Sequence, residues 1–278
     1  MPAIEQGLGI PVFPDWRTAW HYDDKIAQSY LLPAANIPTP KTWVFYEYEK
    51  AVNFCRNASY PLVMKLTGGA SSQNVIMLES FEDAYYWIGR MFGSSVTSLA
   101  EPQKLSIGAF FGRSRGAIRY WVKDWQPHPG FWYDQQTHYF FIQEFLANND
   151  FDTRVTVIGN RAFAFRRFNR PNDFRSSGSG NFDVNPSEID LETVRLAFVL
   201  ANKLGTQSIA IDGLRRGEVR VVGEISYTYV SWVVHECPGH WELHGDPIKG
   251  ELHWVEGQVW PEDAILDDFI SHISRKSV

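Results

Sequence analysis

Two carboxylates, Asp212 and Glu224, lie in the stretch Ser208 to Tyr227 (SIAIDGLRRGEVRVVGEISY), where apolar residues alternate on both sides of a Gly-containing turn. That pattern predicts two antiparallel strands. Side chains alternate between the faces of a strand, which puts Glu224 and Ser226 on one face and Ile209, Ile211 and Ile225 on the other. Pairing of the strands then brings Asp212 close to Glu224. Adjacent carboxylates in apolar surroundings repel unless a cation or proton lies between them. Hard oxygen donors of this kind suit Mg²⁺, which completes its shell with water and phosphate oxygens. On its own the segment reads equally well as an ordinary hairpin with exposed acids.

Cationic residues supply the complementary chemistry. Lys65 ends the apolar run PLVMK and is followed by Gly68, Gly69, Ala70, Ser71 and Ser72, then by a second strand over 74–78. Backbone N–H groups and hydroxyls of such a loop can turn toward one anion, with Lys65 as a point charge beside them. The Lys precedes the glycines and no helix start follows, so this is not the GxxxxGK[ST] type of phosphate loop, and it also reads as a plain turn. Arg166, Arg167, Arg170 and Arg175 crowd one stretch and would repel if unpaired, which predicts a polyanionic ligand. Residues 94–138 lose periodicity and mix Arg113, Arg115, Arg119 and Lys123 with Trp121, Trp125, Phe131, Trp132 and Tyr133. This set could grip a phosphorylated, ring-bearing ligand or simply pack back onto the body. His235, Cys237, His240 and His244 invite a zinc reading, but their spacing fits no standard ligand set.

The elements that must position these groups follow from periodicity and turn chemistry. Residues 1–23 are broken by Pro2, Pro11 and Pro14 and predict an extended arm. Asp23 or Asp24 caps a helix through Leu32, closed by Pro33 and the IPTP run. A strand over 42–46, a helix over 48–56 with Tyr48, Ala51, Val52 and Cys55 on one face, and a helix over 81–92 with Tyr85, Ile88, Met91 and Phe92 inward come next. Tyr139 to Leu146 is an apolar strand. Residues 152–158 and 161–168 form a hairpin around Gly159-Asn160, with Asp152, Arg154 and Thr156 on one face. A helix over 191–204 ends at Gly205, and a last helix starts at Pro261.

Composition bounds the class. The 278 residues are 44% hydrophobic and 21% charged, as in ordinary globular proteins. No run of about 18 apolar residues occurs, so no membrane span is expected. The start MPAIEQGLGIP lacks the features of a secretory signal, and Cys55 and Cys237 are too few for a disulfide framework, so free thiols in the cytoplasm are expected. A net charge of −6 argues against nucleic-acid binding by bulk electrostatics. The 11 Trp residues serve cores and ring stacking alike.

Taken in order, DDK with IPTPKT, PLVMKL with its Gly/Ser loop, FIQEFL, DTRVTVIGNRAFAFRR, FRSSGSG, and DG with EIS and CPG resemble the ATP-grasp superfamily, the fold of glutathione synthetase, D-alanine:D-alanine ligase and peptide-modifying glutamate ligases. More narrowly, NNDFDTRV and NDFRSSGSG resemble the ATP-grasp proteins encoded among bacterial surface-polysaccharide genes. The resemblance covers residues 24 to about 240 and implies an α+β fold in which two α+β lobes clasp ATP. It places the lobes at 24–145, with an irregular insertion at about 94–138, and at 146–278, with the metal site and an aromatic tail. Relatives carry a further N-terminal domain before the position of Asp24, and most of it is expected to be lacking here. Acceptor binding would then fall to the insertion, the aromatic tail, another subunit or a partner protein.

The resemblance also implies residue roles. Lys25 and Lys65 would contact ATP phosphates, and Gly69, Ser71 and Ser72 would belong to a mobile lid loop. Gln143, Glu144 and Leu146 would line the adenine slot, Glu144 through its carbonyl and Leu146 through its N–H. Arg154, Arg167 and Arg175 would face the γ-phosphate and an acyl phosphate. Asp212, Glu224 and Ser226 would hold Mg²⁺ or Mn²⁺, Ser226 standing where an Asn is usual. The implied reaction is ADP-forming coupling of a small-molecule carboxylate, sugar-linked by analogy, to an amine. Two other readings use the same scaffold: a non-catalytic ATP- or glycan-binding subunit, and a kinase with His235 as general base.

Overall fold

The structure is a computed structural model and describes residues 2–69, 74–96 and 135–276. These fall into two compact units, one of residues 1–42 and 143–278, the other of residues 43–142.

The smaller unit is built on a sheet ordered β1-β4-β2-β3, from β1 (Thr42–Phe45), β2 (Leu62–Lys65), β3 (Val75–Leu78) and β4 (Phe140–Glu144). Helix α3 (Tyr48–Arg56) buries Ala51, Val52 and Cys55, as its spacing predicts. Helix α4 (Phe81–Gly93) is capped by the Ser80 hydroxyl, which accepts from Asp83 N at 3.2 Å. Its buried stripe is Ala84, Trp87, Ile88 and Met91, and Tyr85, expected inside, is exposed. Positions 84, 87, 88 and 91 form the i, i+3, i+4, i+7 set that one helix face requires, and Tyr85 lies off it. Val96 and Gln136 exchange backbone hydrogen bonds at 2.9 and 2.8 Å. The basic and aromatic residues expected to grip a ligand between 113 and 133 lie outside the described residues.

The larger unit is organised by a seven-stranded antiparallel sheet ordered β11-β10-β6-β5-β8-β9, with β7 on β6. The strands are β5 (Phe151–Ile158), β6 (Arg161–Phe168), β7 (Phe182–Asp183), β8 (Ser208–Arg216), β9 (Val219–Ser226), β10 (Gly239–His244) and β11 (Glu251–Glu256). One face packs against helix α5 (Leu191–Leu204): Val155, Val157, Ala164, Ile209, Ile211 and Ile225 meet Val194, Ala197, Phe198 and Leu200 in one core. The αL cap at Gly205 ends α5, with φ 65°, as glycine permits. The close approach of α5 depends on Gly213, where an added Cβ would lie 2.4 Å from Thr193 Cγ2. On the opposite face Phe163 and Phe165 pack with Val233 and Val234 of α6 (Ser231–His235) and Ala264 of α7 (Pro261–Lys276).

Several expectations are corrected here. Residues 1–23 are not extended: Ala3–Gly7 and α1 (Trp16–Ala19) are helical turns, the second capped by Asp15 Oδ1 accepting from Thr18 N at 2.8 Å. The Asp-x-x-Thr spacing at 15–18 carries that cap signal. Helix α2 (Lys25–Ala34) starts at its Asp24 cap but continues through Pro33, since a proline in the last turn forfeits little of the ladder. This helix belongs to the larger unit, not to the lobe expected to begin at residue 24. Leu32 and Ile37 are part of the core under the large sheet. The Gln28 amide also pairs with both backbone groups of Ile225, donating to its O at 2.9 Å and accepting from its N at 3.1 Å, which covers part of the edge of β9. The aromatic tract after residue 238 forms the hairpin β10–β11, where Trp241 pairs with Trp254.

Candidate active site

The register of four strands assembles a row of charges on the face away from α5. Asp152 lies opposite Arg167 across β5 and β6, Arg154 opposite Asp212 across β5 and β8, and Asp212 opposite Glu224 across β8 and β9. A bulge between Asp212 and Gly213 shifts the register just beyond the acidic pair. Arg167 donates through Nε and Nη2 to the two oxygens of Asp152, both at 2.7 Å. Its Nη2 also lies 2.8 Å from Asp212 Oδ1, which Arg154 Nε approaches to 3.0 Å. At the end of the row the buried Lys25 Nζ is 3.3 Å from Glu224 Oε1 and 3.9 Å from Asp23 Oδ1. Acids and bases thus interleave: Arg167 lies between Asp152 and Asp212, Arg154 pairs with Asp212, and Lys25 pairs with Glu224. Buried charges are costly unless paired and hydrogen-bonded, and alternation meets that demand. Burial pushes the Asp152 carboxyl up, with Arg167 opposing it. Arg167 is held protonated above its ordinary range, for although burial acts the other way, Asp212 and Asp152 outweigh it.

The other candidate residues divide between this row and separate places. Ser226 shares the face of Glu224 but its hydroxyl is turned to Thr228, donating to the carbonyl at 2.8 Å and accepting from the N–H at 3.1 Å. Arg175 has a partner in its own loop. It pairs with Asp173, at 2.9 Å through Nε, and its N–H groups hold the Asp173 carboxyl below the usual range although burial opposes this. The expected convergence of four arginines is therefore not found. Strand alternation sends Arg166 to the opposite face from Arg167, where it meets Asp183 and Glu188, and Arg170 Nη2 donates to Ser177 O at 2.6 Å. Each guanidinium has a local acid or carbonyl, so repulsion does not demand a common ligand.

Gln143 is buried at the end of β4, its amide donating to Thr42 Oγ1 at 2.9 Å. Glu144 accepts from Lys41 N at 2.7 Å and Arg216 Nη1 at 3.0 Å, and the Leu146 carbonyl accepts from Asn149 Nδ2 at 3.2 Å. In the smaller unit Lys65 closes β2 opposite Val75. Gly69 has φ 121°, and an added Cβ would lie 2.5 Å from Asn74 Nδ2, whose amide donates to Gly68 O at 2.9 Å. Ser71 and Ser72 lie outside the described residues. Asp152, not among the predicted site residues, was readable by counting outward from the Gly159-Asn160 turn, since Ile158 opposite Arg161 places Asp152 opposite Arg167.

The donor chemistry at Asp212 and Glu224 fits one hard divalent cation: two carboxylates in register on adjacent strands. Among the described residues no three His, Cys, Asp or Glu side chains form a metal-holding group, so the pair would share the ion with water and phosphate oxygens. The residues of the zinc reading have separate settings. His235 stacks on Trp260 at 3.9 Å, His240 packs on Phe163 with burial lowering its pKa, and burial pushes the Cys237 thiol up to about 12.

No protein-family model matches the chain. The alpha-aminoadipate--LysW ligase LysX of Saccharolobus solfataricus is 25% identical over 210 residues, which cover 75% of this chain and 62% of that relative. The chain thus spans about three fifths of the relative's length. The ATP-grasp ligase PsnB, solved with a minimal precursor, superposes with a TM-score of 0.51 at 17% identity, over 83% of this chain and 60% of that one. Phosphoribosylamine--glycine ligase of Thermotoga maritima gives a TM-score of 0.51 at 15% identity, over 77% of this chain and 49% of that one. The chain thus shares the fold of these ATP-grasp and amine ligases.

Proposed function

We propose that the chain is an ATP- and Mg²⁺-dependent ligase that joins a carboxylate to an amine with release of ADP and phosphate. The observation that carries this reading is the buried alternating row from Asp152 to Lys25 on one sheet face. The matched relative is named as a ligase joining alpha-aminoadipate to LysW. In the proposed reaction the substrate carboxylate attacks the γ-phosphorus of ATP, the bond to the ADP oxygen breaks, and an acyl phosphate forms. The amine then attacks the acyl carbon, phosphate leaves, and the amine loses a proton. Arg154 and Arg167 neutralise charge spread over the phosphoryl oxygens, and their pre-set orientation avoids reorganisation during the step. Lys25 and Lys65 hold phosphates. Glu224 and Asp212 hold Mg²⁺, which when bound adds positive charge at the transferring phosphoryl group.

The carboxylate substrate is proposed to be sugar-linked. Support comes from Tyr22 and Tyr227, whose rings lie 5.0 Å apart and whose chain neighbours are Asp23 and Ser226; such rings stack on sugar faces. Full neutralisation of Asp212 and Glu224 by resident cations favours one other reading, a nucleotide-binding subunit without turnover. A panel of carboxylate and amine pairs, assayed for phosphate release with mass spectrometry of products, separates the two. Stoichiometric ADP and an amide product support the ligase. ATP binding with no ADP from any pair favours the subunit.

A further inference from the structure

We infer that Asp152 is a positioning residue that fixes the guanidinium of Arg167 for phosphoryl transfer, an inference that rests on the ligase reading. Both oxygens of Asp152 are used on one edge of the guanidinium, Nε and Nη2, each at 2.7 Å. Asp212 takes Nη2 again at 2.8 Å. A planar fork held along one edge by a bidentate carboxylate cannot rotate, and the contacts to Asp152 and Asp212 are made by Nε and Nη2. Both residues are buried, 7% exposed for Asp152 and 8% for Arg167, so water competes little for the pair.

Fold stability alone does not require this arrangement, because a buried ion pair is weak evidence for stability and apolar pairs of equal volume serve as well. Arg166, the next residue, shows the contrast: it pairs with Asp183 on the other face and lies against the rings of Phe151 and Phe168. Its acid has no connection to the row. Asp152 is instead joined through Arg167 to Asp212, and through the register of β8 and β9 to Glu224. An Asn at position 152 keeps the shape but sets an N–H₂ donor against one of the guanidinium donors. The fork then loses one of its two restraints from β5 while Asp212 remains.

The test uses the full chain with Mg²⁺ and two nucleotide probes, AMPPNP for the ground state and ADP–aluminium fluoride for the transferring phosphoryl group. Asp152→Asn is expected to leave AMPPNP affinity within about 3-fold and to weaken ADP–aluminium fluoride by at least about 10-fold. In an Arg167→Met background the same change should have no further effect, and Asp183→Asn should leave both affinities unchanged. In ¹⁵N-arginine spectra, the slowly exchanging Nε–H of Arg167 should shift and exchange faster in Asp152→Asn. The inference is overturned if that signal is unaltered, or if Asp152→Asn weakens ADP–aluminium fluoride equally with and without Arg167. Failure of the wild type to bind either nucleotide overturns the ligase reading instead, and the Arg167 signal alone then decides the positioning.

Discussion

Arg167 and Glu224 are proposed to have different chemical duties in one charged row, and substitution separates them. Arg167→Met removes a charge proposed to act on the phosphoryl group in flight, so ATP affinity should stay within a few-fold while ADP formation falls by about 10²-fold or more. Glu224→Gln keeps the shape but removes the charge proposed to hold the metal, and should lower turnover as strongly while weakening Mg²⁺ dependence, with melting temperature as the folding control. A third prediction concerns His21, which is fully buried beside Trp20 and whose pKa burial depresses below 6.5. Between the folded pKa and about 6.5 the unfolded chain binds more protons than the folded one, so stability rises with pH across that window. It is present above about pH 6.5 and lost as pH falls. Urea denaturation at descending pH should show this loss, and His21→Phe should flatten it; an unchanged slope would contradict the assignment. At this scale, alternation made Asp212 and Glu224 legible as neighbours and put Arg154 on one face with Asp152, but it did not reveal that β5 pairs with β8 and sets Arg154 opposite Asp212. It did not reveal that Arg175 would find Asp173 or Ser226 would turn to Thr228, because short loops choose partners by local backbone geometry that periodicity does not encode.

Strands and helices that bury a stripe were legible, and those held by isolated contacts were not. Helix α5 and the β5–β6 hairpin follow their patterns to within a residue, since each has a full apolar face and a Gly at the turn or stop. The β10–β11 hairpin was not legible although Trp241 and Leu243 alternate against Leu252 and Trp254, because its strands are short and their other face carries histidines and glutamates that also fit a loop. Helix α2 joined the unexpected unit through Leu32, Ile37 and the Gln28 amide, contacts that no local pattern contains. One tight junction between elements is at Gly213, where α5 lies on β8. Gly213→Ala should cost about 1–3 kcal/mol, as overpacking does. Thr193→Ser removes the Cγ2 that the new methyl would meet while keeping a hydroxyl for Asp190, so it should recover much of that loss in denaturant titrations. Additive costs in the double variant would mean that the clash is not the cause.

For the whole molecule, sequence order was the informative property, because the superfamily pattern is a series of weak motifs whose succession is specific. Two compact units and the fold likeness to PsnB agree with it, while substrate choice depends on surface residues for which sequence holds no periodic signal. No helix among the described residues is long and apolar enough to cross a membrane. The central claim is that the chain binds ATP with Mg²⁺, with Lys65 and Glu224 among the residues proposed to take part. Calorimetric titration of the full chain with ATP tests this most directly. The account predicts Mg²⁺-dependent binding with one site per chain, weakened by about 10-fold or more in Lys65→Ala and by EDTA, and less dependent on Mg²⁺ in Glu224→Gln. Equal affinity for ATP in wild type and Lys65→Ala, with and without EDTA, would contradict it.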